Sequence, residues 1–344
     1  MTPKRPTSSA APTVDTVARA AGVSIASVSR VLNGLPASDE VADRVHAAVA
    51  EVGYQPNAAA RSLKSRRTHQ IAFAMENIAN PVYVAMVHAI QEVAKERGYQ
   101  LLLHSTDADA DDELALLNGL GRRYVDGLII SPIRMSPAHV EALRTAAAPV
   151  VVIGATPDDL AVDTVRVDSR AGAARAVEHL VDTGRRRIAF VNGPVDTTPG
   201  SIRRAGYEDG LAARGIALDE ELLETADFRL AGGAEAARRI LERTRPDAIF
   251  CANDLMALGV LNVLREAGLR VPEDVAVVGM DDIDLATIAW PQLSSVSLGS
   301  DERGRRAAEL LFERLEQPDR EPRRELVETS LVVRGSSAAR EVAS

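Results

Sequence analysis

Three residues in the second half of the chain carry chemistry suited to holding a polar ligand. Arg203 follows Gly193-Pro194-Val195-Asp196 and a Pro199-Gly200 turn, near the expected start of a helix. A cation there opposes the helix dipole, which argues against a purely structural role. Asn253, with Asp254 next to it, comes just after an apolar run ending at Ala252, and Asp281 just after one ending at Met280. A guanidinium, a carboxamide and a carboxylate supply the forked donors and acceptors that neighbouring hydroxyl groups need. Plainer readings stand beside this one: Arg203 in a surface ion pair, with Arg204 adjacent as a competitor, and Asn253 or Asp254 as a helix cap.

A second constellation lies near the N terminus. Val14, Val17, Ala18 and Ala21 recur at i, i+3, i+4 and i+7, which predicts one apolar helical face. Thr13 suits the N-cap, Asp15 the first turn, and Gly22 the left-handed residue that ends the helix. Ser24 can cap the next helix, which buries Val28, Val31 and Leu32 and turns Ile25, Ala26, Ser29 and Arg30 to the other side. Ser38 is expected to cap a third helix, with an inner stripe of Val41, Val45, Val49 and Val52 and a stop at Gly53. Two short helices around a tight turn, the second small and polar, have the form of a helix-turn-helix that lays its second helix in the DNA major groove. The plainer reading is a helical hairpin inside a larger fold. Pro56 then breaks the chain and Asn57 can cap a helix over about 58–64, which is too short to be stable alone in water. The polar, basic Ser65-Arg66-Arg67-Thr68 suits a linker.

From residue 70 onward the pattern alternates. Strands are predicted at Gln70–Met75, Gln100–Ser105, 126–131, Pro149–Gly154, Thr164–Asp168, Arg187–Asn192, near 222–226, Asp247–Ala252 and Asp274–Met280, with amphipathic helices between them. Continuous apolar strands between such helices indicate parallel sheets covered on both faces. Two runs of similar length indicate two doubly wound lobes, whose ligand belongs beyond the C-terminal strand ends, between the lobes.

Composition narrows the partners. The 344 residues carry a net charge of −9, and 46% are apolar, ample for large cores. Residues 1–70 hold nine Lys/Arg against five Asp/Glu, a balance of +4, which leaves −13 for the rest. A basic front on an acidic body fits a local DNA footprint, though an uneven solvated surface gives the same charges. Cys251 is the single cysteine and reads as a small buried hydrophobe. The six histidines show no metal-ligand spacing and are expected to be surface or helix residues. No run of 18 apolar residues predicts a membrane span, and residues 1–10 lack the apolar core of a signal peptide.

The stretch Thr13 to Lys64 closely resembles the headpiece and hinge of the lac repressor (LacI/GalR) family of bacterial transcription regulators. The resemblance runs over about 13–335. It includes Asn80-Pro81-Val82-Tyr83, Val125-Asp126-Gly127-Leu128-Ile129, Cys251-Ala252-Asn253-Asp254, Arg270 through Asp282, and Leu331-Val332-Val333-Arg334. It implies an N-terminal all-α helix-turn-helix headpiece and an α/β body of two doubly wound parallel-sheet lobes, periplasmic-binding-protein-like, type I. The expected division is a disordered arm at 1–12, headpiece at 13–55, hinge helix and linker at 56–69, and body at 70–340. Within the body the first lobe takes about 70–168 and 300–325, the second about 169–297 and 326–340.

By the same resemblance, Ile25 and Ala26 hold the pair that most decides operator sequence, and Arg30 reaches a base or phosphate. Arg is the usual reader of guanine, whereas Ile25 and Ala26 offer only apolar contact. Ser24, Ser27, Ser29 and Asn33 suit phosphates, which position without reading sequence. Thr13, Asn57, Arg61 and Lys64 join the DNA contacts, and Leu63 matches the residue that wedges into the minor groove at the site centre. Arg203, Asn253 and Asp281 match ligand-contact positions, Asp254 a cap and brace, and Tyr83 and Phe228 aromatics that flank the ligand. For Tyr83 and Phe228, core packing is the equal alternative. Phe73 reads as core, and Trp290 as cleft wall or hinge packing.

Two departures stand out. Gly154 and Ala155 occupy places where relatives often carry an acidic and a bulky residue, and Val82 replaces a frequent aromatic. Both bear on the identity of the effector. The implied partners are double-stranded operator DNA, a small, sugar-like effector, and a second copy in a homodimer, in the cytoplasm at the nucleoid, with no cofactor, metal or membrane. The dimer surface is expected on the body, helix 80–97 and the second lobe included. No leucine heptad follows Arg334, so no helical tetramerisation tail is expected. Two other classes are weighed. A solute receptor without DNA function explains the body but not the headpiece. An enzyme would need a phosphate loop or a nucleophile set, and no Gly-x-Gly-x-x-Gly, Walker or defensible Ser/His/Asp arrangement occurs.

Overall fold

The computed structural model describes residues 12–32, 34–54 and 67–338. The chain divides into an N-terminal unit up to Thr68 and a body from His69. In the first unit, α1 (Val14–Ala21), α2 (Ile25–Leu32) and α3 (Asp39–Val52) enclose Val17, Ala18, Ala21, Val28, Val31, Val45 and Ala48. Thr13 caps α1 reciprocally with Thr16: the Thr16 N–H donates to Thr13 Oγ1 at 3.3 Å and the Thr13 N–H to Thr16 Oγ1 at 3.2 Å. Gly22 ends α1 at φ 63°, a conformation that costs glycine little. Arg44 of α3 donates to the Ala21 and Gly22 carbonyls, both at 3.0 Å, and so closes the helix end with a cation where the dipole favours one.

Two details differ from the sequence reading here. The Ser38 side chain makes no capping bond. The inner stripe of α3 centres on Val45 and Ala48, with Val41, Val49 and Val52 only partly buried, because two eight-residue helices pack against one of fourteen.

The body begins with β1 (Gln70–Met75), α4 (Val82–Glu96), β2 (Gln100–Ser105), α5 (Ala110–Gly119), β3 (Gly127–Ser131), α6 (Pro137–Arg144), β4 (Val150–Ile153) and β5 (Asp163–Val167). A second lobe follows: α7 (Ser169–Asp182), β6 (Ile188–Asn192), α8 (Thr198–Ala213), β7 (Leu223–Thr225), α9 (Leu230–Arg243), β8 (Ala248–Cys251), α10 (Asp254–Glu266), β9 (Ala276–Asp281), α11 (Leu285–Ile288) and β10 (Ser294–Ser297). The chain then returns to the first lobe with α12 (Ser300–Glu316) and β11 (Arg324–Val327), and reaches the second again with β12 (Ser330–Val332). The strand orders are β11-β5-β4-β3-β1-β2 and β12-β10-β9-β8-β6-β7.

Side-chain alternation explains the layers. Ile71, Phe73 and Met75 point to one face of the first sheet, under α4 and α12, while Ala72 and Ala74 point to the other, with Leu117 and Leu143. In the second lobe Phe190 stacks between Tyr207 at 4.7 Å and Phe250 at 5.1 Å, contacts worth about 0.5–1.5 kcal/mol each beyond burial. Cys251 and Phe73 are fully buried, as their neighbours suggested.

Among the described residues, parallel pairing covers every strand pair but one: β12 runs antiparallel to β10, because it enters from a short crossover rather than a helix. β2 is not covered on both faces. It is the sheet's edge, and Leu102 and Leu103 are exposed there. β11 carries the first lobe to Val327, past the expected boundary at 325, since Leu326 and Val327 pair with Arg166 and Val167. β9 starts at Ala276 rather than Asp274, whose carboxylate instead accepts from the Arg270 backbone and guanidinium at 2.7–2.9 Å. His139 lies in α6 but is buried, 3.0 Å from the equally buried Glu113.

Candidate functional site

The cleft between the lobes holds a cavity with about 940 Å³ of empty space, its open mouth included. Arg203, Asn253, Asp281, Tyr83 and Phe228 all line it. Each arrives from the C-terminal end of a strand or the helix after it, where doubly wound sheets expose loop and helix termini.

Arg203 sits in the second turn of α8 and is 9% exposed. Its Nη2 lies 3.5 Å from Asp281 Oδ1, and Nη1 donates to the Ala252 carbonyl. The surface ion pair belongs instead to Arg204, which pairs with Glu208 and Glu220 away from the cleft. Asn253 caps α10: its Oδ1 accepts from the Met256 N–H at 2.9 Å, and its Nδ2 donates to the Phe228 carbonyl at 2.8 Å. The capping role expected of Asp254 is therefore Asn253's. Asp254 braces: it accepts from Ser295 Oγ at 2.6 Å and from the Ile283 N–H at 2.9 Å, tying α10 to the chain after β9. Burial drives its carboxyl well above the ordinary range.

Asp281 ends β9 at φ 114°, and Asp282 follows at φ 56°. Such conformations cost about 1–3 kcal/mol in a non-glycine residue and persist only when neighbours hold them. Here Asp282 is held by Ser295 Oγ at 3.0 Å and Arg334 at 2.8 Å. Phe228, also at positive φ, lays its ring over Gly193, where any Cβ would fall 1.9 Å from Cζ. Tyr83 packs edge-on against Phe73 at 6.2 Å. Both aromatics thus share core and cleft. Val82, Gly154 and Ala155 lie on the wall as well. Trp290 does neither job expected of it. It is 93% exposed on the second lobe, beside a groove formed with Leu258, Leu261 and Ile288.

Burial pushes the Asp281 carboxyl up to about 6, against the pull of Arg203 and Arg303. The folded chain therefore binds this proton more tightly than the unfolded chain. Stability from this group is full below about pH 4 and is lost as pH rises through 6. Asp281→Asn should flatten that part of the curve. Its Tm relative to the parent should rise between pH 4.5 and 7.5, and a constant difference across the series would contradict the assignment.

Sequence reasoning passed over Glu76, Arg166 and Arg303, which also face the cavity. Arg303 had a legible signal: Arg303, Ala307 and Leu311 share one helical face, so an arginine occupies an apolar stripe close behind a helix start. The rim carries an Arg134–Asp196 ion pair at 2.9 Å and a Thr198 N–H to Ile133 carbonyl bond at 2.7 Å, each joining the two lobes.

On α2, Ile25 is 54% exposed, Ala26 and Arg30 are exposed, and Ser29 is half-buried. The Ser24 and Ser27 hydroxyls lie 2.9 Å apart at the helix start. Arg30 donates to the Pro36 carbonyl at 2.9 and 3.2 Å. Asn33, Asn57, Arg61, Leu63 and Lys64 lie outside the described residues, as do the hinge helix and residues 1–11 of the expected arm.

Residues 13–57 match the family described as bacterial regulatory proteins, lacI family, and residues 177–337 match the periplasmic binding protein-like domain. The ribose operon repressor of Escherichia coli (strain K12) is 36% identical over 328 residues, covering 94% of this chain and 99% of the repressor. The chain belongs to the LacI family. Among solved structures, a complex of the transcriptional regulator CelR with cellobiose is 36% identical, with a TM-score of 0.72 over 94% of this chain and 99% of CelR. The lac repressor dimer bound to operator and the anti-inducer ONPF is 27% identical, with a TM-score of 0.86 over 95% and 99%. As a LacI-family member, the chain is a DNA-binding transcriptional regulator and not an enzyme.

Proposed function

We propose that this LacI-family protein is a repressor that binds operator DNA as a homodimer, in the cytoplasm at the nucleoid, and that a sugar-like effector in the cleft sets its operator affinity. The observation that carries this is the convergence of Arg203, Asn253 and Asp281 with Tyr83, Phe228 and the first-lobe wall on one cavity. Groups from both lobes touch the same space, so a ligand there has a different affinity for each relative setting of the lobes. That differential affinity is the coupling free energy that allostery requires. The ribose repressor and the cellobiose complex support a sugar-like ligand. Ile25 and Ala26 read bases, Arg30 reaches a base or phosphate, and Ser24, Ser27, Ser29 and Asn33 contact phosphates, while Thr13, Asn57, Arg61 and Lys64 add DNA contacts and Leu63 wedges into the minor groove. Val84 of α4, Leu102 and Leu103 of β2, and Ile288 with Trp290 offer exposed apolar surface to a second copy. Among the described residues no helix is long and apolar enough to cross a membrane.

Binding of the full chain to its own promoter fragment and to random duplex, each with and without sugars, polyols and nucleosides, tests the reading. Preference for the promoter that shifts with one of these compounds supports it. Equal binding to both duplexes in every condition overturns it.

A further inference from the structure

The cavity contains a cation that neutral hydroxyl recognition does not require. Arg303 projects from α12 of the first lobe, is 8% exposed, and lines the same space as Arg203. Its side chain makes one hydrogen bond, from Nη2 to Ser300 Oγ at 2.9 Å, and its Nε is buried without an acceptor. Among the described residues, none places a carboxylate within ion-pair distance of Arg303. Arg203 is the counterpart on the second lobe, and its Nε is likewise buried without an acceptor.

Arg166, Arg203 and Arg303 line this space with Glu76 and Asp281, three cations to two carboxylates. Arg166 donates to the Thr156 carbonyl and hydroxyl and lies 3.6 Å from Asp158, while its Nε is buried without an acceptor, as are those of Arg203 and Arg303. Asp281 is therefore shared between two arginines, and it reaches only Arg203 within 4 Å. Burial also lifts the Glu76 carboxyl above its ordinary value, against the pull of Arg229 and Arg134. Burial depresses the Arg303 guanidinium to about 10, with Asp281 pulling it up and Arg203 pushing it down. A buried arginine in that state gains most from an anion arriving with the ligand, since a forked guanidinium meets a carboxylate or phosphate with two parallel bonds.

We infer that Arg303 and Arg203, one from each lobe, form a seat for an anionic group, so the effector is a polyhydroxylated compound bearing a carboxylate or a phosphate. This rests on the reading of the cleft as a sugar-type site and adds to it the class of ligand. An anion bridging the two arginines bonds both lobes at once. Its affinity therefore depends on their spacing, which is the lever the switch needs.

Matched ligands test the inference on the full-length dimer by calorimetry: glucose against gluconate, glucuronate and glucose 6-phosphate, and ribose against ribonate and ribose 5-phosphate. At least one anionic member should bind ten-fold or more tightly than its neutral parent, and the carboxylate and phosphate arms tell which group is used. In Arg303→Met that ratio should fall at least ten-fold, and Arg303→Lys should restore part of it. Unliganded melting curves check that each variant folds, and the wild-type panel stands without them. If a neutral sugar binds as tightly as its acid and phosphate, the anion seat is wrong and the sugar cleft stands. An anionic preference untouched in Arg303→Met removes the assignment to Arg303. Binding by no member of either series overturns both the seat and the sugar-type reading.

Discussion

Replacing Ile288 and Trp290 together by aspartate should lower operator affinity by about a thousand-fold or more. The two side chains are 77% and 93% exposed in the single chain and border an apolar groove on the second lobe. Charges there cost the monomer little, because neither side chain contributes to its core. Across an interface with a second copy they would be buried facing the same charges, which is strongly unfavourable. The effect on DNA follows from tethering. One headpiece on one half-site binds weakly, with a Kd of order micromolar, while the second then acts at an effective concentration near millimolar. The ratio of those values is the factor lost when the dimer separates. Sedimentation should show monomers, and a gel-shift titration should show the loss. A dimer that persists with unchanged operator binding would place the interface elsewhere.

Arg203→Ala should leave an operator complex that no longer responds to effector at concentrations that saturate the parent. The guanidinium is buried, faces the cavity and approaches Asp281 at 3.5 Å. Charge-assisted bonds to a ligand are worth about 1.5–3 kcal/mol each, so losing a forked pair costs about 3–5 kcal/mol, or more than a hundred-fold in affinity. Asp281 would also lose its nearest counter-charge. Arg204→Ala is the internal control. Its partners Glu208 and Glu220 lie off the cleft, and its effector response should stay near that of the parent. Equal sensitivity of the two variants would mean that the loss comes from folding rather than from the site.

Strand-end logic makes much of this site legible from sequence. Asn253 and Asp281 stand at the ends of apolar runs, and parallel sheets place such residues on the cleft. Tyr83 and Phe228 stay ambiguous from sequence because their rings do both jobs: Phe228 covers Gly193 in the core and also borders the cavity. Arg303 is harder to see, since α12 lies some twenty residues beyond the last marked strand and only its apolar spacing betrays an inward arginine. Leu102 and Leu103 mislead in the other direction. Their run reads as a buried strand, and only the sheet order shows that β2 has one neighbour. Trp290 misleads as well, since an aromatic beside a proline gives no hint of which way the short α11 will carry it.

The pairing of β5 with β11 joins Thr164 to Arg324, and α12 lies over β3, β4 and β5 from the same late stretch of chain. Neither half of the body is therefore a contiguous length of gene. During synthesis, Ile129, Val151 and Val165 wait without their final cover until the ribosome has passed residue 316, so this face is the part of the nascent chain most in need of protection from its neighbours.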